Sequence, residues 1–246
     1  MKPIFVAIGM LFIIAAATIV QGADFLYQGQ GVGVNSGIEF GVLSNRGRLD
    51  LGESWSGSRT VTKPRLSLAY RQGAWQARYE LMPSWSVDDT FMPILDFRVG
   101  EISFGNNNKN DSASQYPVTL NWHIAPSHYL ELSTARGELR PVLAGRWLQA
   151  SVDASSKDKD GNPLHASQTW KAFLWSAGAT YHMNQGQIVY ELTGLAGPKY
   201  SRTEAVAMWP IGQGWLITGG YLYEECRVDE LKMRNQGPWL GLWREW

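Results

Sequence analysis

The run Arg65-Leu66-Ser67-Leu68-Ala69-Tyr70-Arg71-Gln72-Gly73-Ala74-Trp75-Gln76-Ala77-Arg78-Tyr79-Glu80-Leu81 decides how the whole chain reads. Leu66, Leu68 and Tyr70 alternate with Arg65, Ser67, Ala69 and Arg71. Beyond Gly73, Trp75, Ala77, Tyr79 and Leu81 alternate with Gln76, Arg78 and Glu80. Period two marks strands with one apolar and one mixed face. A two-residue loop at Gln72-Gly73 sets Tyr70 against Trp75, Leu66 against Tyr79 and Arg65 against Glu80. Apolar then meets apolar and charge meets its opposite. A slip of one residue would turn the arginines to the apolar side.

The same rhythm runs outward in both directions. Val32, Val34, Ile38, Phe40 and Val42 share one face, with Gly33, Asn35, Gly37, Glu39 and Gly41 on the other. A turn at Gln185-Gly186 pairs Tyr181 with Tyr190, Met183 with Ile188 and Thr180 with Glu191. One at Gly212-Gln213 pairs Trp215 with Pro210 and Ile217 with Met208. A loop centred on Ser127 pairs Trp122 with Leu132 and His123 with Glu131. In 92–104, Leu95, Phe97 and Val99 oppose Asp96 and Arg98 before the phase switches to Ile102 and Phe104, which predicts a bulge. Stretches 139–152 and 168–183 read as strands with blurred faces. The polar stretches 44–60, 105–114, 155–166 and 227–236 read as loops. The total is about twelve strands.

Lys2, the apolar run from Ile4 to Ala17 and Val20-Gln21-Gly22 predict a secretory signal over 1–22, with one domain over 23–246. No apolar stretch of helix length follows. Strands can cross a bilayer only as a closed barrel, because every backbone group must find a partner within the protein. The 12 Trp suit bilayer interfaces, and many of the 26 Gly suit turns and a crowded wall. A soluble β-sandwich shows the same alternation, but its second face meets water and carries many charges. Here that face is mostly Gly, Ala, Ser, Thr and Asn with scattered ions. The expected fold is therefore a closed antiparallel transmembrane barrel, all-β, with both termini in the periplasm. The turns near 72–73, 184–187 and 212–213 then fall inside, and the polar loops at 44–60, 155–166 and 227–236 fall outside. Under a twelve-strand count, 105–114 breaks that asymmetry.

Lys and Arg number 22, as do Asp and Glu, so no clustered positive field invites nucleic acid. Cys226 is the single cysteine, which excludes an internal disulfide, and its acidic neighbours Glu224 and Glu225 disfavour a reactive thiolate. Asp158 and Asp160 lack the further oxygen ligands calcium requires. No GxGxxG, P-loop or CxxC occurs. No cofactor, metal or catalytic residue is expected.

The closing strand Pro238-Trp239-Leu240-Gly241-Leu242-Trp243-Arg244-Glu245-Trp246 resembles that of bacterial outer-membrane barrels, with Leu240 and Leu242 in phase with a final aromatic. Arg244 departs from that pattern. The resemblance implies the outer membrane of a Gram-negative bacterium, contact with membrane lipid and recognition by the barrel-assembly machinery through Trp246. In length and layout the chain also resembles the small monomeric porins specific for oligogalacturonate and related acidic sugars. That likeness implies a passive channel for small hydrophilic solutes, acidic sugars among them, with arginines lining the lumen. Arg65, Arg71, Arg78 and Arg98 fall on non-lipid faces, Arg140 and Arg146 on faces that read either way, and all six are the candidate solute-binding residues; their planar forks suit carboxylates. Glu39, Glu80, Asp96, Glu101, Glu131 and Glu191 share that face and offer internal partners instead. Two alternatives stand beside the channel: a lipid-modifying hydrolase built on His165-Ala166-Ser167, and a non-conducting structural barrel.

Overall fold

The computed structural model describes residues 36–52, 55–82, 85–91, 95–98, 101–104, 118–134, 137–157 and 160–246, with no side-chain detail for 55, 85–91, 95–98, 101–104 and 118. The expected signal over 1–22 and the segment 23–35 lie outside the described residues. The described residues form fourteen strands: β1 Gly37–Leu51, β2 Trp55–Gln72, β3 Trp75–Met82, β4 Trp85–Phe91, β5 Leu95–Arg98, β6 Glu101–Phe104, β7 Val118–Ile124, β8 Ser127–Thr134, β9 Leu139–Lys157, β10 Pro163–Gln185, β11 Ile188–Ala196, β12 Tyr200–Gly212, β13 Trp215–Val228 and β14 Leu231–Glu245. Neighbours in the wall pair antiparallel, β14 returns to β1, and β9 bonds both β8 and β10, so the sheet closes on itself.

The ring has ten rows, fewer than the expected twelve. β3 and β4 continue one row, since β3 pairs with β8 and β4 with β7 in an unbroken register from Trp75↔Thr134 to Phe91↔Val118. β7 and β8 likewise share the edge of β9, at Thr119↔Ser155 and His128↔Trp147. The register slips by one residue at Ala125-Pro126, where proline has no N–H to give the ladder. The expected hairpin about Ser127 is therefore a bulge within one row. Trp122 lies opposite Val87 and Val152, and His123 opposite Ser86 and Ser151. His123 and Glu131 consequently face opposite sides of the wall. The expected bulged strand over 92–104 is also no wall strand. Leu95↔Phe104, Phe97↔Ile102 and Arg98↔Glu101 pair β5 with β6, and the phase switch falls between the two strands.

Three turn registers differ from expectation. Gly73 and Gly186 carry φ of +56° and +63° and occupy the first turn position, as a type II′ hairpin requires. Pairing therefore shifts by two residues: Tyr70 meets Ala77, Leu66 meets Leu81, Tyr181 meets Leu192 and Thr180 meets Thr193. A two-residue shift preserves faces, so the inward and outward sets survive. At the third turn an irregularity between Pro210 and Gly212 sets Trp209 opposite Ile217, and Met208 opposite Thr218. That odd shift moves Met208 inside and leaves Trp209 and Ile211 outside.

β1 begins and β14 ends at the same rim, here the near rim, which also carries two-residue turns at 73–74, 186–187 and 213–214. The stretches expected as loops at 44–60, 155–166 and 227–236 are mostly strand, so the wall runs on past the apolar zone toward the far rim. Exposed large apolar residues cluster near the near rim: Phe40 and Val42, Trp75, Leu139 and Leu143, Trp209 and Ile211, Trp215 and Ile217, Leu240 and Leu242. On β10 the band spans eleven residues, from Phe173 to Met183. At a rise of about 3.3 Å per residue and a tilt near 40°, that is about 25 Å. Beyond it the outward positions turn polar, for example Ser58, Thr60 and Thr62 on β2.

Candidate functional site

The lumen is filled. Alternation on β2, β3, β8, β12 and β1 aims Arg65, Arg78, Glu80, Glu131, Arg202, Glu204 and Glu39 at one another. Arg65 Nη2 donates to Glu204 Oε1 at 2.7 Å, while its Nε lies 3.1 Å from Glu80 Oε1 and 3.8 Å from Glu39 Oε2. Arg202 Nη2 donates to Glu80 Oε2 at 2.8 Å and to Glu204 Oε2 at 2.7 Å. Arg78 approaches both carboxylates, 3.7 Å from Glu80 and 3.5 Å from Glu204. Side chains of Arg65 and Arg202 are 0% exposed and those of Glu80 and Glu204 1%. Aromatic rings finish the enclosure: the Arg65 guanidinium lies 3.9 Å over Trp239 and that of Arg202 4.3 Å over Tyr129. Tyr129 donates to Glu131 at 2.8 Å, and Thr218 to Glu39 at 2.5 Å.

A second group sits beside it. Arg146 pairs with Glu224, which also accepts from Tyr200 at 2.6 Å and from Asn235 at 3.2 Å. Arg146 Nε donates to Ser127 Oγ at 3.2 Å. The buried thiol of Cys226 shares the inward face of β13 with Glu224. A third group joins Arg140 to Glu191 at 3.4 Å, with His182 Nδ1 3.2 Å from the same carboxylate oxygen.

Of the six arginines expected in the lumen, Arg65, Arg78, Arg140 and Arg146 face it, and each has a carboxylate partner. Arg71 lies at the near rim, where its Nε donates to the Gly73 carbonyl at 3.3 Å. Arg98 lies on β5, opposite Glu101 on β6, in a two-stranded sheet that is not part of the ring. The central partners Arg202, Glu204 and Glu224 were not among the expected residues. Their signal was present: Tyr200, Arg202, Glu204, Val206 and Met208 alternate with Ser201, Thr203, Ala205 and Ala207. The expected turn at 212–213 pairs Met208 with Ile217, one residue out of the observed register, which obscures that phase.

The rest of the interior is more apolar than expected. Leu43, Leu148, Leu174, Leu216, Leu222 and Met233 fill it around the ions. Beside Arg146, a void of about 10 Å³ lined by Leu43, Asn45, Met82 and Asn235 is the size of one water. His165 and Ser167 face outward and exposed on β10, opposite Ser155 and Asp153, and neither makes a hydrogen bond among the described residues. Nucleophilic catalysis needs a hydrogen-bonded base beside the hydroxyl. Among the described residues no group of three His, Cys, Asp or Glu could hold a metal ion.

No family model and no curated protein matches the chain. Among solved structures, Ail, the attachment invasion locus protein of Yersinia pestis, is 10% identical with a TM-score of 0.39, over 85% of this chain and 99% of that one. The translocator domain of autotransporter NalP from Neisseria meningitidis is 10% identical with a TM-score of 0.35, over 98% and 97%. The Pseudomonas putida toluene transporter TodX is 8% identical with a TM-score of 0.30, over 93% and 92%. Likeness at this level assigns no function to the chain.

Proposed function

We propose that the protein spans the bacterial outer membrane and acts as a gated channel for small hydrophilic solutes, closed at rest by the Arg65–Glu80–Arg202–Glu204 cluster. A closed wall with an outward apolar band of about 25 Å is what a bilayer core accepts from strands. The near rim, with its two-residue turns, the start of β1 and the end of β14, is then periplasmic, and the mature chain begins after a signal over 1–22. Trp246, exposed at that rim, is the contact offered to the assembly machinery.

The observation that carries the gate is charge where apolar packing would suffice. Replacing a buried ion pair by well-packed apolar residues is often neutral or stabilising. Here three arginines and four glutamates converge from five strands at the middle of a barrel that could have been filled with leucine. Arg65 and Arg202 each keep two buried nitrogens, Nε and Nη1, without a hydrogen-bond partner. Those donors are ready for water or a solute hydroxyl once the cluster parts. The facing arginines are matched by carboxylates, so they form no anion filter in the closed state. An acidic sugar fits only the parted state, in which Arg65 and Arg78 are free of Glu204. Arg71 at the near rim and Arg140 with Arg146 along β9 would then extend the path.

A second reading, a non-conducting barrel, is favoured by the complete burial of Arg65 and Arg202. Planar-bilayer recording of refolded protein separates the two. Wild type should open rarely, and Glu204→Gln, which removes one charge without changing shape, should raise the open fraction about tenfold. Silence from both, with each folded by gel mobility, removes the channel and leaves the structural barrel.

A further inference from the structure

The outer wall carries one strongly charged patch. Across β13, β14 and β1 the outward residues form level rows. Ile217, Leu242 and Phe40 make one row, and Gly219, Leu240 and Val42 the next. Tyr221 then meets Pro238, and Tyr223 meets Gln236, which meets Arg46. The last two rows are Glu225–Arg234–Arg48 and Arg227–Lys232–Asp50. Apolar wall thus gives way to cations within a few rows, through a tyrosine zone. Within these rows five cations stand against two carboxylates, with the exposed Asp229 and Glu230 of the β13–β14 turn two residues beyond the last of them. Corresponding outward positions on other strands are mainly neutral: Ser58, Thr60 and Thr62 on β2, Ser201 and Thr203 on β12, Ser167 and Thr169 on β10.

The internal pairing leaves the patch unsatisfied. Glu225 holds Arg227 at 3.3 Å, Lys232 at 3.2 Å and Arg234 at 3.3 Å, while Arg48 binds Asp50 at 2.8 Å. Arg48 and Arg234 are direct cross-strand partners, a like-charge contact that costs stability by itself. Arg46, exposed one row nearer the apolar band, has no ion pair or hydrogen bond among the described residues. Three forked donors therefore meet at the level where headgroups begin, and guanidinium forks match phosphate oxygens in pairs.

We propose that Arg46, Arg48 and Arg234 bind a phosphate of a phosphorylated membrane lipid in the leaflet at the far rim, with Lys232 and Arg227 completing the field. This rests on the membrane-spanning reading. Acyl chains lie along Phe40, Val42, Leu240 and Leu242, and the phosphate bridges the two facing arginines, turning their repulsion into a site.

The test uses full-length refolded protein in mixed micelles, titrated with bisphosphorylated lipid A and with the same lipid dephosphorylated. Wild type should bind the phosphorylated form about tenfold tighter, since a charge-assisted pair contributes at least that factor. Arg46→Gln, which breaks no pair, and the triple change Arg46→Gln, Arg48→Gln, Arg234→Gln should each erase most of the preference. Lys171→Gln, on another part of the wall, should leave it. Equal binding of both lipids, or an unchanged preference in the triple variant, overturns the site. So does full competition by inorganic phosphate at matching concentration, which identifies a free-anion site. A wild-type chain that migrates identically boiled and unboiled overturns the membrane reading along with it; a heat-modifiable barrel without the preference overturns only the lipid site.

Discussion

Glu204 and Glu191 show how far burial decides what one carboxylate contributes. Glu204 touches Arg65 and Arg202 at 2.7 Å each, and all three side chains are sealed from water. Removing it leaves Arg65 and Arg202 sharing the single carboxylate of Glu80 in a low-dielectric interior, a loss of about 3 kcal/mol. Glu191 meets Arg140 at 3.4 Å with 16% of its side chain still exposed. Removing that partner leaves Arg140, itself only 5% exposed, without its longer and weaker ion contact while its Nε still donates to the Gly137 carbonyl at 3.3 Å, and about 1–2 kcal/mol is at stake. Urea unfolding in micelles should therefore rank Glu204→Ala well below Glu191→Ala in stability. Equal effects would mean that the central cluster is hydrated. Gly241 works on the same scale by leaving space. A Cβ there would lie 2.8 Å from Thr218 Oγ1 and 3.0 Å from Glu39 Oε1, so a side chain would displace the hydrogen bond that holds Glu39.

Among the elements, the β5–β6 pair and the β9–β10 seam make opposite cases. β5 and β6 pair only with each other among the described residues, and Phe91 lies directly opposite Val118 at the ends of β4 and β7. A short turn joining 91 to 118 should therefore leave the wall closed, with heat-modifiable migration kept and the unfolding midpoint little changed. A twelve-row barrel would open under the same deletion, so loss of the folded band would restore the larger count. The β9–β10 seam, by contrast, is an unbroken ladder from Pro163↔Lys157 to Tyr181↔Leu139. A proline at Trp175, opposite Gly145, would remove a ladder donor and its ring would press on a wall with no edge to yield. That variant should fail to give the compact unboiled band.

For the molecule as a whole, the proposed orientation rests on the near rim, which has two-residue turns at 73–74, 186–187 and 213–214 against one at the far rim, 229–230. Barrels in the outer membrane keep such turns in the periplasm. A short epitope inserted between 158 and 159, at the β9–β10 tip, should be reached by antibody on intact cells. The same epitope in the Gly186-Gln187 turn should stay hidden until the membrane is permeabilised. The reverse labelling would invert the barrel and move the cationic patch to the inner leaflet.

The amino-acid order alone settled that the chain is a strand protein with one apolar and one mixed face. Period-two alternation in Leu66-Ser67-Leu68-Ala69-Tyr70 is a local property, and the fold kept both faces there even after pairing shifted by two residues. It also placed Arg65 and Arg78 on the inward side, while the blurred faces of 139–152 left Arg140 and Arg146 open. Row count, register and partners needed three dimensions. Whether Ala125-Pro126 turns the chain or only kinks it depends on which strand accepts its neighbours, and β9 accepts both. Whether an inward arginine waits for a solute or is already neutralised depends on Glu204 and Glu80, which reach Arg65 across the lumen from other strands. Such pairings are set by closure of the ring, a long-range condition that no single window of sequence contains.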